Sequence, residues 1–357
     1  MTSNPAGFQP VFCSIVPPHL LDKVARSSNA TAAERARLTL ERDALERGRR
    51  RDTVVARTAV VPRPVAPEDQ KPNRTIYDAA HGTELPGTKV RGESDEPGRD
   101  ATVNRAFAGL GATFELYLRK YARWSIDGNG LALDATVHYD QDYNNAFWNG
   151  EQMVFGDGDG EIFLDFTLPV DVIGHELTHG VTQYTANLTY AGQPGALNES
   201  LSDVFGSLIK QYSLGQSAAE ADWLIGAGLL APSVQGVALR SMKAPGTAYD
   251  DDVLGKDPQP ADMEHYVDTE EDNGGVHINS GIPNHAFYLL ATELGGQAWE
   301  RAGQIWFDTL TGGELAQDAS FADFAQLTAE TARERYGAGD ETQAVLKAWE
   351  QVGVPTS

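Results

Sequence analysis

The pentapeptide His175-Glu176-Leu177-Thr178-His179 restricts both the local fold and the chemistry of this chain. Residues four apart share one face of an α-helix, so a helical conformation brings His175 and His179 to the same metal ion. Glu176 then lies beside them, where a carboxylate can act on a water molecule at that ion. The pattern predicts a helix from about Asp171 to Thr185 that carries two zinc ligands.

A catalytic zinc ion usually takes three protein ligands and keeps one position for water or substrate. Glu199 is the candidate third ligand, because it lies on a second predicted helix, from about Ala196 to Tyr212. An antiparallel pair of helices would bring it to the histidines. Asp203 follows one turn later and can fix the ring of one histidine, and Asn198 can fix the ring of the other.

The net charge of −23 arises from 28 basic and 51 acidic residues. Nucleic acids and anionic membranes need clustered Lys and Arg, so we expect neither as a partner. The single cysteine, Cys13, excludes an intrachain disulfide and any site with several thiolates. No apolar run is long enough to cross a membrane, and we expect a monomer.

The charge is unevenly distributed along the chain. Residues 1–51 contain nine Lys/Arg and five Asp/Glu, whereas the remainder contains 19 and 46. A basic N-terminal segment therefore precedes a strongly acidic body, and the boundary lies near residue 51. After this segment the pattern is rich in strands and then rich in helices, which predicts an α+β protein of two lobes with a cleft between them.

Several separate stretches resemble the thermolysin family of zinc metalloendopeptidases. They are HELTHGVTQYTANLTYAGQPGALNESLSDVFG (175–206), YNNAFWNGEQMVFGDGDG (143–160), ALRSM (238–242) and DNGGVHINSGIPNHAFYLL (272–290). The resemblance implies a thermolysin-like fold with a β-rich N-terminal lobe (52–190) that ends after the HExxH helix. A helical C-terminal lobe (191–357) follows, and zinc lies in the cleft.

The resemblance also implies a catalytic role for particular residues. The zinc ligands are His175, His179 and Glu199, the general base is Glu176, the donors to the developing oxyanion are Tyr190 and His277, and Asp272 orients His277. Zinc polarises the carbonyl of the bond that is cut and lowers the pKa of its water toward about 7, and Glu176 takes the water proton.

Substrate positioning follows from the same resemblance. Asn145, the Ala146 backbone and Trp148 match the edge strand that holds an extended peptide. Phe163, Val172 and Leu239 match the apolar pocket that receives the residue after the cut bond, and Phe166 stands at another pocket-wall position. Arg240 matches the arginine that binds the substrate carbonyl. We therefore expect cleavage on the amino side of Leu, Ile, Val or Phe.

The family often binds a pair of calcium ions beside the HExxH helix. Asp171 and Asp222 match calcium ligands, but Lys210 and Ala227 stand where the family has acidic residues. An ammonium group cannot coordinate calcium and repels it, so we expect the double site to be absent or altered. The GDGDG stretch at 156–160 also lacks the glutamate that an EF-hand loop has at its twelfth position.

Residues 12–25, FCSIVPPHLLDKVA, resemble the short propeptide of protealysin-like precursors, with a Pro-Pro-x-Leu motif at 17–20. The resemblance implies that residues 1–51 are an inhibitory propeptide that covers the cleft until it is removed. A basic segment is attracted to an acidic body, which agrees with this role. Removal could occur at Arg49-Arg50-Arg51 by a trypsin-like protease, or before Val54 or Val55 by self-cleavage.

Cys13 has two possible roles. A lone cysteine is most often a small apolar packing residue, which is the role that we favour, but a thiolate could also approach the zinc ion. The N-terminus does not resemble a secretory signal peptide, so we expect a cytoplasmic precursor or secretion by a non-standard route. The alternative function is a zinc-bound, catalytically inactive protein that holds peptides in its cleft.

Overall fold

The computed structural model describes residues 13–52, 66 and 69–356. Residues 1–12 and the candidate self-cleavage positions before Val54 and Val55 lie outside the described residues. The strands are β1 Cys13–Ser14, β2 Arg74–Asp78, β3 Thr88–Gly92, β4 Leu133–Val137, β5 Ala146–Trp148, β6 Met153–Phe155, β7 Leu224–Ile225, β8 Arg240–Ser241, β9 Asp250–Asp251 and β10 Gly255–Lys256.

The helices of the described part lie mainly at the N-terminus and after residue 170. They are α1 Pro18–Ala25, α2 Ala30–Asp52, α3 Ala101–Tyr121, α4 Val170–Gln183, α5 Gly192–Leu214, α6 Asp272–Asn279, α7 Gly281–Leu294, α8 Ala302–Thr311, α9 Phe321–Tyr336 and α10 Asp340–Gln351. This order, with a strand-rich part before a helix-rich part, confirms the α+β prediction. In the described part of the chain, no helix is long and apolar enough to cross a membrane.

The main sheet has six strands in the order β1-β5-β6-β4-β2-β3. Strands β2, β4 and β6 are parallel to one another, whereas β5 is antiparallel to β6. The N-terminal strand β1 adds to the free side of β5 as an antiparallel strand, so that Cys13 lies opposite Trp148 and Ser14 opposite Phe147. Without β1, strand β5 would be an edge with unpaired backbone groups.

Helices α4 and α5 pack against each other at unusually small side chains. A Cβ atom on Gly206 would lie 2.6 Å from the carbonyl oxygen of Asp171, and one on Gly174 would lie 3.2 Å from the Cα of Gly206. The first distance is too short for any Cβ atom and the second is tight, so the two glycines allow the helix backbones to approach closely. This close approach brings side chains of α5 to the His-Glu-Leu-Thr-His stretch on α4.

The sequence TAAERARLTLERDALE predicts a helix from about Thr31 to Glu46 that ends at Gly48. The observed helix continues to Asp52. A glycine inside a helix costs only about 1 kcal/mol relative to alanine, and the neighbouring residues on α2 are good helix formers. The predicted C-terminal boundary was therefore wrong by about one turn.

Three buried polar residues of α2, Thr39, Asp43 and Glu46, are spaced so that they share one helix face. The carboxylate of Asp43 accepts hydrogen bonds from the hydroxyl of Tyr143 and from Nδ2 of Asn145, the latter at 2.9 Å. Helix α2 is therefore attached through polar contacts to the chain that leads into β5.

Candidate functional site

The two histidines of α4 face each other across a short gap. Their Nε2 atoms lie 3.0 Å apart, and both rings are buried. Nδ1 of His175 is 2.8 Å from Oδ1 of Asp203, and Nδ1 of His179 is 2.8 Å from Oδ1 of Asn198. Because these partners are acceptors, each Nδ1 carries the proton, and the lone pairs of both Nε2 atoms point into the gap.

Glu199 on α5 completes the group. Its Oε2 lies 3.5 Å from Nε2 of His175, and its Oε1 lies 3.6 Å from Nε2 of His179. Oε2 is buried and accepts no hydrogen bond from the part of the chain that the structure describes. Two imidazole lone pairs and a carboxylate oxygen converge here, which is the donor set that a zinc ion takes.

The surrounding charges favour the deprotonated carboxylate of Glu199. Burial alone would raise its pKa, but favourable electrostatic interactions with His277, His179 and His175 outweigh burial and lower the pKa to about 2. Burial lowers the pKa of His179 to about 3, although Glu199 opposes this. The group therefore holds a charged carboxylate and a neutral imidazole over the whole neutral range.

Asp203 anchors the group from behind. Beside its hydrogen bond with His175, it accepts two bonds at 2.8 Å from Nε and Nη2 of Arg240 and one at 2.9 Å from Nδ2 of Asn284. Burial would raise the pKa of Asp203, but Arg240 and His175 together lower it well below its usual range. A carboxylate so held fixes the ring of His175 and binds the guanidinium of Arg240 in one orientation.

Glu176 projects from α4 toward strand β5. Its side chain is buried, and its Oε2 accepts a hydrogen bond of 3.0 Å from the backbone N–H of Trp148. The carboxylate thus lies between the histidines of α4 and the backbone of the strand that can pair with an extended chain.

His277 and Tyr190 lie on the opposite side of the gap. Nε2 of His277 is 3.2 Å from the hydroxyl of Tyr190, which also donates to Glu199. Asp272 holds His277 twice, through Nδ1 at 2.6 Å and the backbone N–H at 2.8 Å. Burial would lower the pKa of His277, but Asp272 and Glu199 raise it. The imidazole therefore keeps its proton more readily than a free histidine does.

The chain between Asp272 and His277 has an unusual backbone. The φ angles of Asp272 and Asn273 are 53° and 52°, and those of Gly274 and Gly275 are 83° and 74°. Four successive residues in the left-handed region turn the chain sharply, and the two glycines adopt this region without steric cost. The turn brings the Asp272 carboxylate back to the histidine that follows it.

Cys13 of the N-terminal segment lies in the gap itself. Its Sγ is 2.9 Å from Oε1 of Glu199, 2.9 Å from the hydroxyl of Tyr190 and 3.7 Å from Nε2 of His277. The ligand atoms of Cys13, His175, His179 and Glu199 all lie within 4.8 Å of one another. The thiol is thus placed at the candidate metal group rather than in an apolar contact, in contrast to the packing role that we favoured.

The residues after Cys13 bind the cleft through their backbone. Ile15 N–H donates to the carbonyl of Ala146 at 3.1 Å, and the Ile15 carbonyl accepts from Nη1 of Arg240 at 3.2 Å. The side chain of Asn145 bonds both backbone groups of Val16, through Oδ1 at 2.9 Å and Nδ2 at 3.2 Å. The structure therefore brings together the backbone-binding residues that the sequence singled out.

The apolar residues that we expected to line a pocket are all buried in one cluster with Ile15. The cluster includes Phe163, Phe166, Val172 and Leu239. The rings of Phe163 and Phe166 are tilted with their centroids 5.9 Å apart. This cluster contains most of the buried apolar side chains of the described chain, so the four residues and Ile15 share the protein interior.

Lys210 of α5 lies among oxygen atoms beside α4. Its Nζ is 2.7 Å from Oδ2 of Asp171, 2.8 Å from Oδ1 of Asp222 and 2.7 Å from the carbonyl of Leu224. Burial would lower the pKa of Lys210, but Asp171 outweighs it and the pKa is raised. The ammonium group is therefore a fixed cation that neutralises the buried Asp171 carboxylate.

The fold and the His-His-Glu group define a metalloendopeptidase, and comparison with known proteins shows its family. A family model for the thermolysin metallopeptidase catalytic domain matches residues 66–183, and one for the thermolysin metallopeptidase alpha-helical domain matches residues 186–354. The chain belongs to the thermolysin family of metallopeptidases.

Close relatives extend over nearly the whole chain. An extracellular metalloprotease of Pectobacterium carotovorum subsp. carotovorum is 50% identical over 349 residues, which cover 96% of each chain. A solved structure of the precursor of protealysin, a metalloproteinase from Serratia proteamaculans, is 50% identical with a TM-score of 0.87 and covers 96% of this chain and all of that chain. A thermolysin of Alicyclobacillus acidocaldarius subsp. acidocaldarius is 38% identical over 288 residues, 78% of this chain and half of that one.

Sequence reasoning missed two residues that support the site. Asn284 on α7 holds Asp203; it lies within the family-like stretch 272–290, but its spacing does not show that it contacts Asp203. Asp43 holds Asn145, and its signal is the spacing of Thr39, Asp43 and Glu46, which places three polar residues on one face of α2. That face is buried rather than solvated.

The buried carboxyl of Asp43 predicts a pH dependence for the docking of the N-terminal segment. Burial raises its pKa from 3.8 to about 6, although Tyr143, Arg47 and Asn145 oppose the shift and Glu46 adds to it. Docking is strongest below the pKa of the free carboxyl and weakens as the pH rises through about 6. Ionisation of Asp43 alone should raise the dissociation constant of the N-terminal segment about tenfold between pH 5 and pH 7.

Measuring this contribution requires a comparison of variants, because burial lowers the pKa of His19 to about 4 and acts in the opposite direction. The segment is cleaved near residue 51, and its dissociation constant is measured at both pH values. The ratio of the Asp43→Asn constant to the wild-type constant should fall about tenfold from pH 5 to pH 7. The ratio for Glu41→Gln, an exposed acid on α2, should stay constant. A constant ratio for Asp43→Asn would contradict the account.

Proposed function

We propose that this protein is a zinc-dependent neutral endopeptidase that is synthesised as a self-inhibited precursor and cuts on the amino side of Leu, Ile, Val or Phe. The observation that carries the proposal is the convergence of His175, His179 and Glu199, whose donor atoms face one another without a proton between the two imidazoles. If these three groups had only a structural role and bound no metal ion, the repulsion between their lone pairs would remain uncompensated.

In this proposal His175, His179 and Glu199 hold the zinc ion. Bound there, zinc supplies a Lewis acid that polarises a peptide carbonyl and makes a water molecule more acidic. Glu176 accepts the proton of the attacking water and returns it to the leaving amine. Its hydrogen bond from the Trp148 N–H holds the carboxylate at the strand where a substrate backbone would lie.

Tyr190 and His277 stabilise the negative charge that develops on the substrate oxygen. Both direct a polar atom into the gap, and the Asp272 contacts keep the His277 imidazole oriented with its Nε2 toward Tyr190. Preorganised donors of this kind are typically each worth about 10² to 10³ in rate. Asp203 and Asn198 act on the zinc ligands, since each accepts the Nδ1 proton of one histidine.

The substrate would pair with β5 as an extended strand. Asn145, the Ala146 carbonyl and Arg240 bind backbone groups of the N-terminal segment and would bind those of a substrate in the same way. Phe163, Phe166, Val172 and Leu239 belong to the apolar cluster that contains Ile15. The apolar, buried side chains of these four residues, which the resemblance places at the pocket and its walls, support a preference for an aliphatic or aromatic residue after the cut bond.

The N-terminal segment, residues 1–51, is the proposed inhibitor. Its strand β1 covers the edge β5, and Cys13 lies at the candidate metal group, where a thiolate would serve as a fourth zinc ligand. The similarity to a solved precursor of protealysin supports this arrangement. Cleavage at Arg49-Arg50-Arg51, or self-cleavage before Val54 or Val55, would separate the segment from the enzyme.

The alternative is a catalytically inactive protein that uses zinc and the cleft to hold peptides. Glu176, Tyr190, His277 and Asp272 lie together around the gap, with contacts that serve hydrolysis and that mere binding does not require. This supports the enzyme over the binding protein. A relative named as an extracellular metalloprotease also supports action outside the cell.

Activity assays distinguish these functions. After limited trypsin cleavage at residues 49–51, the wild-type protein should hydrolyse a quenched peptide with Leu after the cut bond, and 1,10-phenanthroline should abolish this activity. Glu176→Gln should lower kcat by about 10² to 10⁴ because it removes the general base, with zinc content unchanged. The exposed Glu151→Gln should match wild type.

Activity that survives the chelator would disprove the zinc mechanism. Absence of cleavage by the processed wild-type protein, with peptide still bound, would establish the binding protein. Assays of the cell and medium fractions of the producing cells show where the processed protein acts.

We also propose that Lys210 replaces a cation at the altered calcium site. Its ammonium group is bound by Asp171, Asp222 and the Leu224 carbonyl, and Ala227 supplies no carboxylate. Calcium added in millimolar excess should therefore leave the melting temperature unchanged. Lys210→Met should destabilise the fold by about 3–5 kcal/mol, because it leaves the buried Asp171 carboxylate without its partner.

The matched control is Lys347→Met, which breaks a half-exposed pair with Glu293 at 2.9 Å. That variant should cost about 1 kcal/mol or less. Thermal and urea unfolding measure both variants. A wild-type melting temperature that rises with calcium, or equal losses for the two lysine variants, would contradict the proposal.

A further inference from the structure

We propose that the N-terminal segment lies in the cleft as a stalled substrate, with Ser14–Ile15 as the peptide bond presented for hydrolysis and Cys13 as the group that prevents it. This inference rests on the proposed function and adds a self-processing site within the segment, distinct from the expected cleavage near residues 49–54.

The backbone contacts of Ile15 and Val16 are those of a bound peptide. Ile15 uses its N–H toward Ala146 and its carbonyl toward Arg240, and Val16 uses both groups toward Asn145. These four interactions involve backbone atoms of the segment, so they do not depend on its side chains. Any extended peptide that enters along β5 could make the same bonds.

The position of Ile15 selects the bond. Cys13 lies opposite Trp148, whose N–H holds the Glu176 carboxylate, so the chain from residue 13 to residue 15 passes the proposed general base. Ile15 is fully buried, and its carbonyl is bound by Arg240, the residue that the resemblance assigns to the carbonyl of the residue after the cut bond. Cleavage before a buried aliphatic residue matches the proposed specificity, whereas cleavage of Cys13–Ser14 would put the polar Ser14 in that place.

The thiol of Cys13 accounts for the inhibition. Its Sγ contacts the Tyr190 hydroxyl and Glu199 and approaches Nε2 of His277. It therefore occupies the donors that a substrate carbonyl oxygen would need. An alanine at this position would leave Tyr190 and His277 available to the neighbouring carbonyl of Ser14.

The reaction is an ordinary hydrolysis. Water adds to the carbonyl carbon of Ser14, the bond to the nitrogen of Ile15 breaks, and the water oxygen remains in the new Ser14 carboxylate. Glu176 transfers the two protons of the water in turn to the Ile15 nitrogen, which leaves as an ammonium group, and no oxidant or reductant takes part.

Cutting this bond would not by itself free the cleft. Residues 15–52 would remain attached through the α2 contacts, including the buried Asp43 with Tyr143 and Asn145. The Ile15 and Val16 bonds would also remain. Cleavage at Ser14–Ile15 should therefore leave a product-inhibited chain, and full activity requires removal of α2.

The test uses the full chain with zinc and the variant Cys13→Ala. Intact mass spectrometry and N-terminal sequencing should show loss of residues 1–14 and a new N-terminus at Ile15. The wild-type chain should keep this bond over the same period. The double variant Cys13→Ala/Glu176→Gln should also keep it, and Cys13→Ala/Ile15→Asp should lose cleavage at this position.

A second readout needs no metal. Hydrogen–deuterium exchange of the Cys13→Ala/Glu176→Gln chain in chelator should show protected amides at Ile15 and Val16, because their acceptors are Ala146 and Asn145. Unprotected amides would show that the thiol alone holds the strand and would overturn the substrate register.

The trypsin-processed wild-type protein is assayed for peptide hydrolysis in parallel, to separate the self-processing site from the proposed function. If this protein is active and the Cys13→Ala chain keeps the Ser14–Ile15 bond, or is cut between positions 13 and 14 instead, the inference is wrong. If the processed wild-type protein hydrolyses nothing, the proposed function itself is wrong, and this inference falls with it.

Discussion

Two imidazole lone pairs and a buried carboxylate that face one another repel, and a cation between them would stabilise the group. The Nε2 atoms of His175 and His179 are only 3.0 Å apart, and the Glu199 oxygens are within 3.6 Å of them. The hydrogen bonds from Nδ1 to Asp203 and Asn198 prevent either ring from turning a proton into the gap. The rest of the cleft is arranged around this requirement.

Meeting that requirement depends on how closely two helix backbones approach. Gly174 and Gly206 leave no room for a Cβ between α4 and α5, and this contact brings Glu199 and Asp203 to the histidines. Beside the same contact, the Lys210 ammonium neutralises the buried Asp171. The helix pair that carries the proposed zinc ligands therefore contains its own cation, where we expected the calcium site of the family to be altered.

The motifs predicted much of this site from the sequence. The sequence predicted that His175, His179 and Glu199 lie together, because their positions on one pair of helices determine their geometry. Asn284 and Asp43 could not be placed, since each acts through a contact distant in sequence. The position of Cys13 also could not be derived, because spacing alone does not show how an N-terminal segment passes through the cleft.

The N-terminal segment uses the cleft as a substrate would, and the thiol of Cys13 is the feature that a substrate lacks. X-ray absorption at the zinc edge of the zinc-loaded full chain tests this account most directly. It should show two nitrogen ligands, one oxygen ligand and one sulfur at about 2.3 Å, with the sulfur lost in Cys13→Ser. An identical first shell in wild type and Cys13→Ser would contradict it.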